Sequence, residues 1–254
     1  MIADLVAFDL DDTLAPSKSP VPPEMLDRLV ELTGFVDVAV ISGARLEQFT
    51  GQLIDPLRAR SPHAISRIHL LPTCGARYVR IQDGELEPVY SRELDPATRA
   101  TVMRVLEEEA RRLDLWEDSP WGEVIEDRGA QITFSALGQQ APLEHKESWD
   151  PAGDKRTALC AAVSARLDDL EVRAGGSTSI DVTERGIDKA FGMTELSRRT
   201  EIPLDRMLFF GDRLDEGGND YPVKRLGVPC REVSSWRDTV AQVASLVEDF
   251  RAEG

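Results

Sequence analysis

Leu5-Val6-Ala7-Phe8-Asp9-Leu10-Asp11-Asp12-Thr13 is the stretch that decides the fold. Its first four residues are apolar, which is typical of a short buried strand in a parallel sheet. Three carboxylates and a hydroxyl group follow directly, so they would lie at the carboxyl end of that strand, where open α/β sheets bind ligands. The stretch therefore predicts a strand and a site together. An acidic turn that caps the next helix is the alternative interpretation.

The spacing of the acidic residues indicates the chemistry of this site. Alternation along the chain places the side chains of Asp9 and Asp11 on one side and that of Leu10 on the other. Two neighbouring carboxylates repel each other, and their hard oxygens are ligands that suit Mg²⁺. One carboxylate can then act as a nucleophile while the other transfers a proton.

Composition limits the classes of protein to which the chain can belong. It has 254 residues, 41% of them hydrophobic, which is enough for one large domain or two moderate ones, and we expect two. The net charge of −16 argues against a nucleic-acid partner, because phosphate backbones need a basic surface. Three widely spaced cysteines are typical of a reducing compartment. No basic leader and no long apolar run is found, so we expect a cytoplasmic protein without a membrane partner.

The pattern of strands and helices changes in the middle of the chain. Strand and helix patterns alternate near both ends, which indicates a parallel sheet, whereas two long helices and antiparallel hairpins are predicted between them. We therefore predict a Rossmann-like α/β core with an inserted α+β domain. The core would comprise residues 1–84 and 186–254, and the inserted domain residues 85–185.

Two further positions in the predicted core could hold a phosphate group. Ser42 and Gly43 follow the second predicted strand, where backbone N–H groups and the Ser42 hydroxyl can meet an anion. Lys189 begins a predicted helix and could neutralise a phosphoryl oxygen. The alternatives are that Ser42 caps a helix and that Lys189 is a solvated lysine.

A second acidic segment follows the apolar strand predicted at residues 207–210. It contains Asp212, with Asn219 and Asp220 shortly after it. We predict that Asp9, the main-chain carbonyl of Asp11 and Asp212 hold Mg²⁺, with Asn219 and Asp220 supporting these ligands. Such a metal, together with positioned donors, supplies most of what phosphoryl transfer requires.

The order of these motifs resembles that of the haloacid-dehalogenase superfamily. The resemblance lies in Asp-x-Asp-x-Thr at residues 9–13 and in Gly-Asp-x-x-x-x-Gly-Gly-Asn-Asp at residues 211–220. The position of the insertion resembles the IIB branch, and Gly175-Gly176, Ser179-Ile180-Asp181-Val182 and Asp188-Lys189 are similar to eukaryotic-type phosphomannomutases. The resemblance implies a Mg²⁺-dependent enzyme whose inserted cap domain selects a sugar phosphate, and a homodimer formed through that cap.

The resemblance also implies which residues of the core and of the cap contact the substrate, although some of them differ from the mutase pattern. Ser179, Asp181 and Arg128 match the family, whereas Lys18, Gln139 and Lys146 align with arginines. Lysine keeps the charge but loses the bidentate fork, and glutamine loses the charge. The candidate substrate-binding residues are Thr13, Lys18, Gly43, Arg128, Gln139, Lys146, Ser179 and Asp181.

We expect a phosphatase of small sugar phosphates that works through an aspartyl-phosphate. Asp9 would be the nucleophile, Asp11 the general acid and base, and Ser42 and Lys189 the groups that hold the phosphoryl oxygens. The alternative is a phosphomannomutase-type phosphohexomutase, in which a bound sugar phosphate accepts the phosphoryl group. A non-catalytic sugar-phosphate-binding protein on the same fold is a third, remote alternative.

Overall fold

The computed structural model describes residues 3 to 253 and divides into two compact units. The core unit comprises Met1–Ser91 and Ile187–Gly254, and the inserted unit comprises Arg92–Gly186. No helix within residues 3–253 is long and apolar enough to cross a membrane.

The core unit is built on a seven-stranded sheet. Numbered along the whole chain, its strands are β1 (Leu5–Phe8), β2 (Asp37–Ile41), β3 (Ile68–Leu71), β4 (Arg77–Gln82), β5 (Glu85–Ser91), β10 (Met207–Gly211) and β11 (Cys230–Glu232). Their order is β11-β10-β1-β2-β3-β4-β5. The first five strands of this order are parallel and the last two pair antiparallel.

Helices cover this sheet on both faces. They are α1 (Pro23–Leu32), α2 (Leu46–Phe49), α3 (Asp55–Arg60), α7 (Lys189–Thr200), α8 (Tyr221–Leu226) and α9 (Trp236–Glu253), and the segment Thr50–Ile54 is π-helical. Val6 and Phe8 belong to one hydrophobic cluster of the unit, whereas Leu5 and Ala7 belong to another. All four residues are completely buried, as expected for a central parallel strand.

The inserted unit packs helices on one face of an antiparallel sheet. Its elements are α4 (Pro96–Arg112), β6 (Ile125–Asp127), β7 (Gln131–Ser135), α5 (Leu143–Trp149), α6 (Asp154–Ser164), β8 (Leu170–Ala174) and β9 (Ser179–Glu184), with the strand order β6-β7-β9-β8. Ile132 and Phe134 of β7 pack with Val182 of β9 in the hydrophobic core of this unit. The alternate residues of β7, which are polar, point to the other face of the sheet.

The predicted fold class is confirmed, while several element bounds differ from the prediction. β5 lies in the core unit, although the sequence analysis assigns residues from 85 onward to the inserted domain, because the turn at Asp83-Gly84 pairs β5 with β4. The apolar run at residues 35–41 predicts that the second strand begins at Phe35, but it begins at Asp37, because the Phe35 and Val36 N–H groups donate to the Leu32 carbonyl in the turn after α1.

A buried polar cluster lies in the core sheet, away from the predicted site residues. His69 is fully buried, with Nε2 at 3.2 Å from Asp37 Oδ2 and Nδ1 at 2.6 Å from Tyr78 Oη. A carboxylate only accepts, so Nε2 carries the hydrogen and the Tyr78 hydroxyl donates to Nδ1. The hydrogen bond from His69 helps to lower the pKa of Asp37 to about 2. Burial lowers the pKa of His69, whereas the hydrogen bond to Asp37 and the charge of Asp37 raise it.

Candidate active site

Three predicted site residues lie at adjacent strand ends of the core sheet. Asp9 follows β1, Ser42 follows β2 and Asp212 follows β10. Because β10, β1 and β2 are neighbouring parallel strands, their carboxyl ends meet at one edge of the sheet. The Asp9 N–H group donates to the Phe210 carbonyl at 2.9 Å, which continues the β1–β10 pairing up to the site.

Lys189 joins two of the acidic residues. Its Nζ atom lies 2.6 Å from Asp9 Oδ1 and 2.5 Å from Asp220 Oδ1. Lys189 and Asp220 are both completely buried, and Asp9 is 4% exposed. Lys189 is the first residue of α7, whose N-terminus is capped by Asp188 through the Phe191 N–H group at 2.9 Å. The alternative interpretation of Lys189 as a solvated lysine is therefore wrong.

The site holds more negative than positive charge. Asp9, Asp212 and Asp220 each place a carboxylate oxygen within 4.8 Å of the others. Burial raises the pKa of Asp9 well above its ordinary value against the pull of Lys189, and the carboxylates of Asp220 and Asp212 raise it further. Burial and the charge of Asp220 raise the pKa of Asp212. Burial would lower the pKa of Lys189, but the carboxylates of Asp220 and Asp9 outweigh it and raise that pKa.

The donor set fits a divalent cation. Three carboxylates and one ammonium group leave an excess of negative charge among hard oxygen atoms, which is what Mg²⁺ sites offer. The sequence predicts Asp9 and Asp212 as metal ligands and Asp220 as a residue that supports them. In the structure, a carboxylate oxygen of Asp220 lies as close to this group as those of Asp9 and Asp212 do, so Asp220 could also be a ligand. Among the described residues, this group does not include the Asp11 carboxylate, whose Oδ1 atom accepts from the Lys18 N–H group at 2.6 Å. Asn219 is exposed.

Ser42 is positioned to donate a hydrogen bond. It is 5% exposed, and its Oγ atom accepts from the Ala44 N–H group at 3.2 Å, which leaves the hydroxyl hydrogen for another acceptor. Gly43 lies between them and is half-buried. The next helix begins at Leu46 with Arg45 at its N-cap, so the interpretation of Ser42 as a helix cap is wrong.

Thr13 and Lys18, two of the candidate substrate-binding residues, differ in their burial. Thr13 is buried, and its Oγ1 atom lies 3.5 Å from Asp212 Oδ1, at the long limit of a hydrogen bond. Lys18 is exposed and has a φ of 55°. Its main-chain N–H group donates to Asp11 Oδ1.

A glycine allows Asp220 to approach the end of β10. A Cβ atom on Gly211 would lie 2.4 Å from Asp220 Oδ2, which is closer than atoms can pack. The same oxygen accepts from the Arg213 N–H group at 3.1 Å. The absence of a side chain at Gly211 therefore leaves the space that the Asp220 carboxylate, the partner of Lys189, occupies.

The predicted residues of the inserted unit gather on the polar face of its sheet. Asp181 of β9 is the cross-strand neighbour of Thr133 and accepts its hydroxyl hydrogen at 2.6 Å. Ser179 Oγ accepts from the Gly176 N–H group at 2.8 Å. Burial raises the pKa of Asp181, and the charge of the nearby Arg128 opposes that rise.

Arg128, Gln139 and Lys146 are all engaged within the inserted unit. Arg128 donates from Nε at 2.8 Å and from Nη2 at 2.5 Å to the same carboxylate oxygen of Glu126. Gln139 Nε2 donates to Ser135 Oγ at 2.9 Å, and Lys146 Nζ donates to the Gln139 carbonyl at 3.0 Å. Gln139 and Lys146, two of the three positions that differ from the mutase pattern, thus contact each other.

Comparisons with known proteins agree with this arrangement. A family model described as "Eukaryotic phosphomannomutase" matches residues 112–249, more than half of the chain. The chain belongs to that family.

Similar proteins extend the likeness of this phosphomannomutase-family chain over its whole length. A phosphomannomutase of Arabidopsis thaliana is 28% identical over 251 residues, which cover 95% of this chain and 96% of that protein. A truncated, IMP-bound IMP-nucleotidase of Plasmodium falciparum has a TM-score of 0.71 at 17% identity, covering 97% of this chain and 68% of the other. A haloacid dehalogenase-like hydrolase from Bacteroides thetaiotaomicron has a TM-score of 0.65 at 15% identity, covering 96% and 99%. The solved structures show the fold.

The predicted resemblance to eukaryotic-type phosphomannomutases is thereby confirmed: the chain is a phosphoryl-transfer enzyme of that family, and it shares the fold of a haloacid dehalogenase-like hydrolase. This phosphomannomutase-family chain also carries residues near Asp181 that the sequence analysis does not single out, namely Gln131, Thr133 and Glu126. Each is buried although polar. The signal that could have found them is the alternation of Gln131 and Thr133 with the apolar residues of β7, which gives a strand two different faces.

Proposed function

We propose that this enzyme is a Mg²⁺-dependent phosphatase of small sugar phosphates that forms an aspartyl-phosphate on Asp9 and acts in the cytoplasm. The observation that carries the proposal is the buried Lys189 ammonium group, held at 2.6 Å from Asp9 Oδ1 and 2.5 Å from Asp220 Oδ1. A lysine held there opposes the rise in the pKa of Asp9 that burial causes, and it adds positive charge where a phosphate must enter. Small metabolites also fit the net charge of −16, which disfavours nucleic acid.

In the first half of the proposed reaction, the Asp9 carboxylate attacks phosphorus and the bond to the sugar oxygen breaks. Asp11 gives its proton to that oxygen, so the sugar leaves as an alcohol. The Ser42 hydroxyl, whose oxygen already accepts from Ala44, donates to a phosphoryl oxygen. Asp9, Asp212 and Asp220 would hold Mg²⁺, which neutralises charge on the transferred group when bound.

In the second half, water attacks phosphorus and the bond to Asp9 breaks. Asp11 takes the proton of that water, which returns both carboxyl groups to their starting states and releases inorganic phosphate. Lys189 remains paired with Asp9 throughout and limits the charge that builds up on its carboxylate. The steps need no other co-reactant than water.

We assign recognition of the sugar to the polar face of the inserted unit. Ser179 and Asp181 lie on β9, and their neighbours across the strand pair are Ser135 and Thr133. Hydroxyl and carboxylate groups in such an array suit a substrate rich in hydroxyl groups. The proposal gives Arg128 a place beside this array, where its guanidinium group is oriented by Glu126.

A phosphomannomutase-type mutase is the second candidate, because the matching family carries that name. A mutase must also hold the far phosphate of a bisphosphate intermediate. At Gln139 and Lys146 the chain offers one cation, and this cation already donates to a main-chain carbonyl. Lysine and glutamine lack the bidentate guanidinium group of arginine, so the far phosphate would be held less firmly, which favours transfer of the phosphoryl group to water. Hydrolysis is therefore placed first.

The test is a panel of hexose 1-phosphates and 6-phosphates with Mg²⁺ or with EDTA. Wild type should release phosphate only with Mg²⁺, and Asp9→Asn should lose at least about 10³-fold in rate. Asp205→Asn, at an exposed aspartate of the core unit, is the matched control. Phosphate release that survives both EDTA and Asp9→Asn would contradict the proposal. A coupled assay of mannose 1-phosphate conversion to the 6-phosphate, with and without a hexose bisphosphate, decides between hydrolysis and the mutase.

A further inference from the structure

A turn of left-handed backbone follows β3 and bonds to the segment that carries Ser42. We call Thr73–Gly75 the left-handed turn, because the φ angles of Thr73, Cys74 and Gly75 are 49°, 55° and 85°. The Cys74 N–H group donates to the Ser42 carbonyl at 2.9 Å, and the Thr73 N–H group donates to the Ala44 carbonyl at 3.0 Å. Two residues that are not glycines thus keep a backbone conformation that side chains disfavour, which is typical of segments that support a functional site.

The left-handed turn also touches α7, the helix that begins with Lys189. A Cβ atom on Gly75 would lie 2.3 Å from the Cα atom of Gly192, and one on Gly192 would lie 3.1 Å from the Cα atom of Gly75. The two main chains are therefore in contact, with no flexible side chain between them. Gly192 lies three residues after Lys189, close to one turn farther along α7. The left-handed turn thus connects the Ser42 segment to the helix of Lys189 through main-chain groups alone.

A buried side chain of β2 completes the packing around Gly192. Ile41 directly precedes Ser42 and is completely buried. A Cβ atom on Gly192 would lie 2.4 Å from Ile41 Cδ1, whereas ordinary contacts begin at 3.4 Å. A side chain at residue 192 would therefore require α7 or Ile41 to move by about 1 Å. A shift of α7 moves Lys189, and a shift of Ile41 moves the residue beside it, Ser42.

We infer that Gly192 is a positioning residue, whose contact with the left-handed turn fixes Lys189 relative to Ser42. The inference rests on the proposed function, in which Ser42 and Lys189 hold the phosphoryl oxygens. Both groups act only when they reach the same phosphoryl group, and a misplacement of about 1 Å can cost about 10²-fold in rate. Gly192 acts through Ser42 and Lys189, and the inference assigns it no contact with the substrate.

The experiment compares wild type with Gly192→Ala and with the matched control Gly51→Ala. Gly51 is an exposed glycine of the π-helical segment in the same unit, and a Cβ atom there would meet nothing within 4 Å. Alanine favours a helix more than glycine does, so a loss in Gly192→Ala comes from its new contacts. Ile41→Val, alone and combined with Gly192→Ala, removes the Cδ1 atom that the new methyl group would meet.

The kinetic constants are measured with saturating Mg²⁺ for the hexose phosphate that wild type turns over fastest, after circular dichroism has shown that each variant is folded. We expect Gly192→Ala to lower kcat at least about tenfold and to keep KM within about threefold, because the displaced groups act on the transferred phosphoryl group. Ile41→Val alone should keep kcat within about twofold, and it should restore Gly192→Ala to within about threefold of wild type. Gly51→Ala should change neither constant.

A double variant tests whether Gly192 acts through Ser42. When Ser42→Ala has removed the hydroxyl group, its position relative to Lys189 no longer matters, so Gly192→Ala should then lower kcat by a much smaller factor than it does in wild type. A packing defect elsewhere in the unit would lower kcat by the same factor in both backgrounds.

The inference is overturned if Gly192→Ala has the kinetic constants of Gly51→Ala, or if Ile41→Val fails to restore its kcat. It is also overturned if the effect is equally large in the Ser42→Ala background, or if Gly192→Ala fails to fold, since the contact would then serve stability alone. If wild type turns over no hexose phosphate, the proposed function fails at that earlier step and the inference falls with it. A wild type that requires Mg²⁺ beside a fully active Gly192→Ala contradicts the inference alone.

Discussion

Replacing Lys189 by methionine should destabilise the core unit more than any other single lysine substitution there. The Nζ atom lies 2.6 Å from Asp9 Oδ1 and 2.5 Å from Asp220 Oδ1. At an effective dielectric constant of about 20, each contact contributes about 6 kcal/mol of attraction. Desolvation of the three charges offsets much of this sum, so breaking the arrangement should lower the free energy of unfolding by about 3–5 kcal/mol.

The loss should depend on the carboxylates that remain. Lys189→Met leaves Asp9, Asp212 and Asp220 together without a cation, so Mg²⁺ should restore part of the lost stability. A second substitution, Asp220→Asn, removes one of the repelling charges and should make the double variant more stable than the sum of the two single effects predicts.

Urea unfolding followed by circular dichroism, with EDTA or with Mg²⁺, measures these effects. Lys224→Met is the matched control, because Lys224 is an exposed lysine of the same unit and should change stability by less than about 0.5 kcal/mol. The reasoning is refuted if Lys189→Met and Lys224→Met unfold at the same urea concentration. It is also refuted if neither Mg²⁺ nor Asp220→Asn changes the loss in free energy of unfolding that Lys189→Met causes.

Three further predictions follow from the same structure. Ser42→Ala should lower kcat about 10²-fold with Mg²⁺ present, measured as phosphate release, because the donated hydroxyl is lost while the Ala44 turn remains. Gly211→Ala should cost about 1–3 kcal/mol in urea unfolding, since its new Cβ would meet a carboxylate oxygen at 2.4 Å. Burial lowers the pKa of His69, so the unfolded chain binds a proton more readily than the folded chain does. The contribution of His69 to stability should therefore be complete above about pH 6.5 and fall as the pH drops below that value. Unfolding measured between pH 5 and 8 should show a smaller slope in His69→Gln, but not in the control His63→Gln, which replaces an exposed histidine.

The central strands β10, β1, β2 and β3 of the core sheet could be predicted well from the sequence because they are short, largely buried apolar runs. The apolar runs at residues 5–8 and 68–71 predict two strands whose bounds agree with β1 and β3 to the residue. Helix α5 is absent from the prediction because none of its residues is buried, so no apolar stripe marks it. The hairpin across Asp83-Gly84 is predicted by its turn residues, but the predicted domain boundary divides it, because the alternation of strand and helix patterns ends at about residue 85.

The site could be predicted in its parts but not in its pairing. Asp9, Lys189 and Asp212 are found by motif, whereas the ion pairs of Lys189 depend on strand order that joins residues 180 and 31 positions apart along the chain. The hydrogen bond from Thr133 to Asp181 likewise depends on the register of β7 against β9, which strand patterns alone do not fix.

The discontinuity of the core unit has a consequence for synthesis on the ribosome. β1 lies between β2, made soon after it, and β10, which is about 200 residues later. The inserted unit is one continuous segment, so it can fold while the nascent chain still lacks β10. Until residues 207–211 emerge, the hydrogen-bonding edge of β1 stays open, and the acidic residues after it have no lysine partner held in place. A chaperone that shields this edge would act longest on β1.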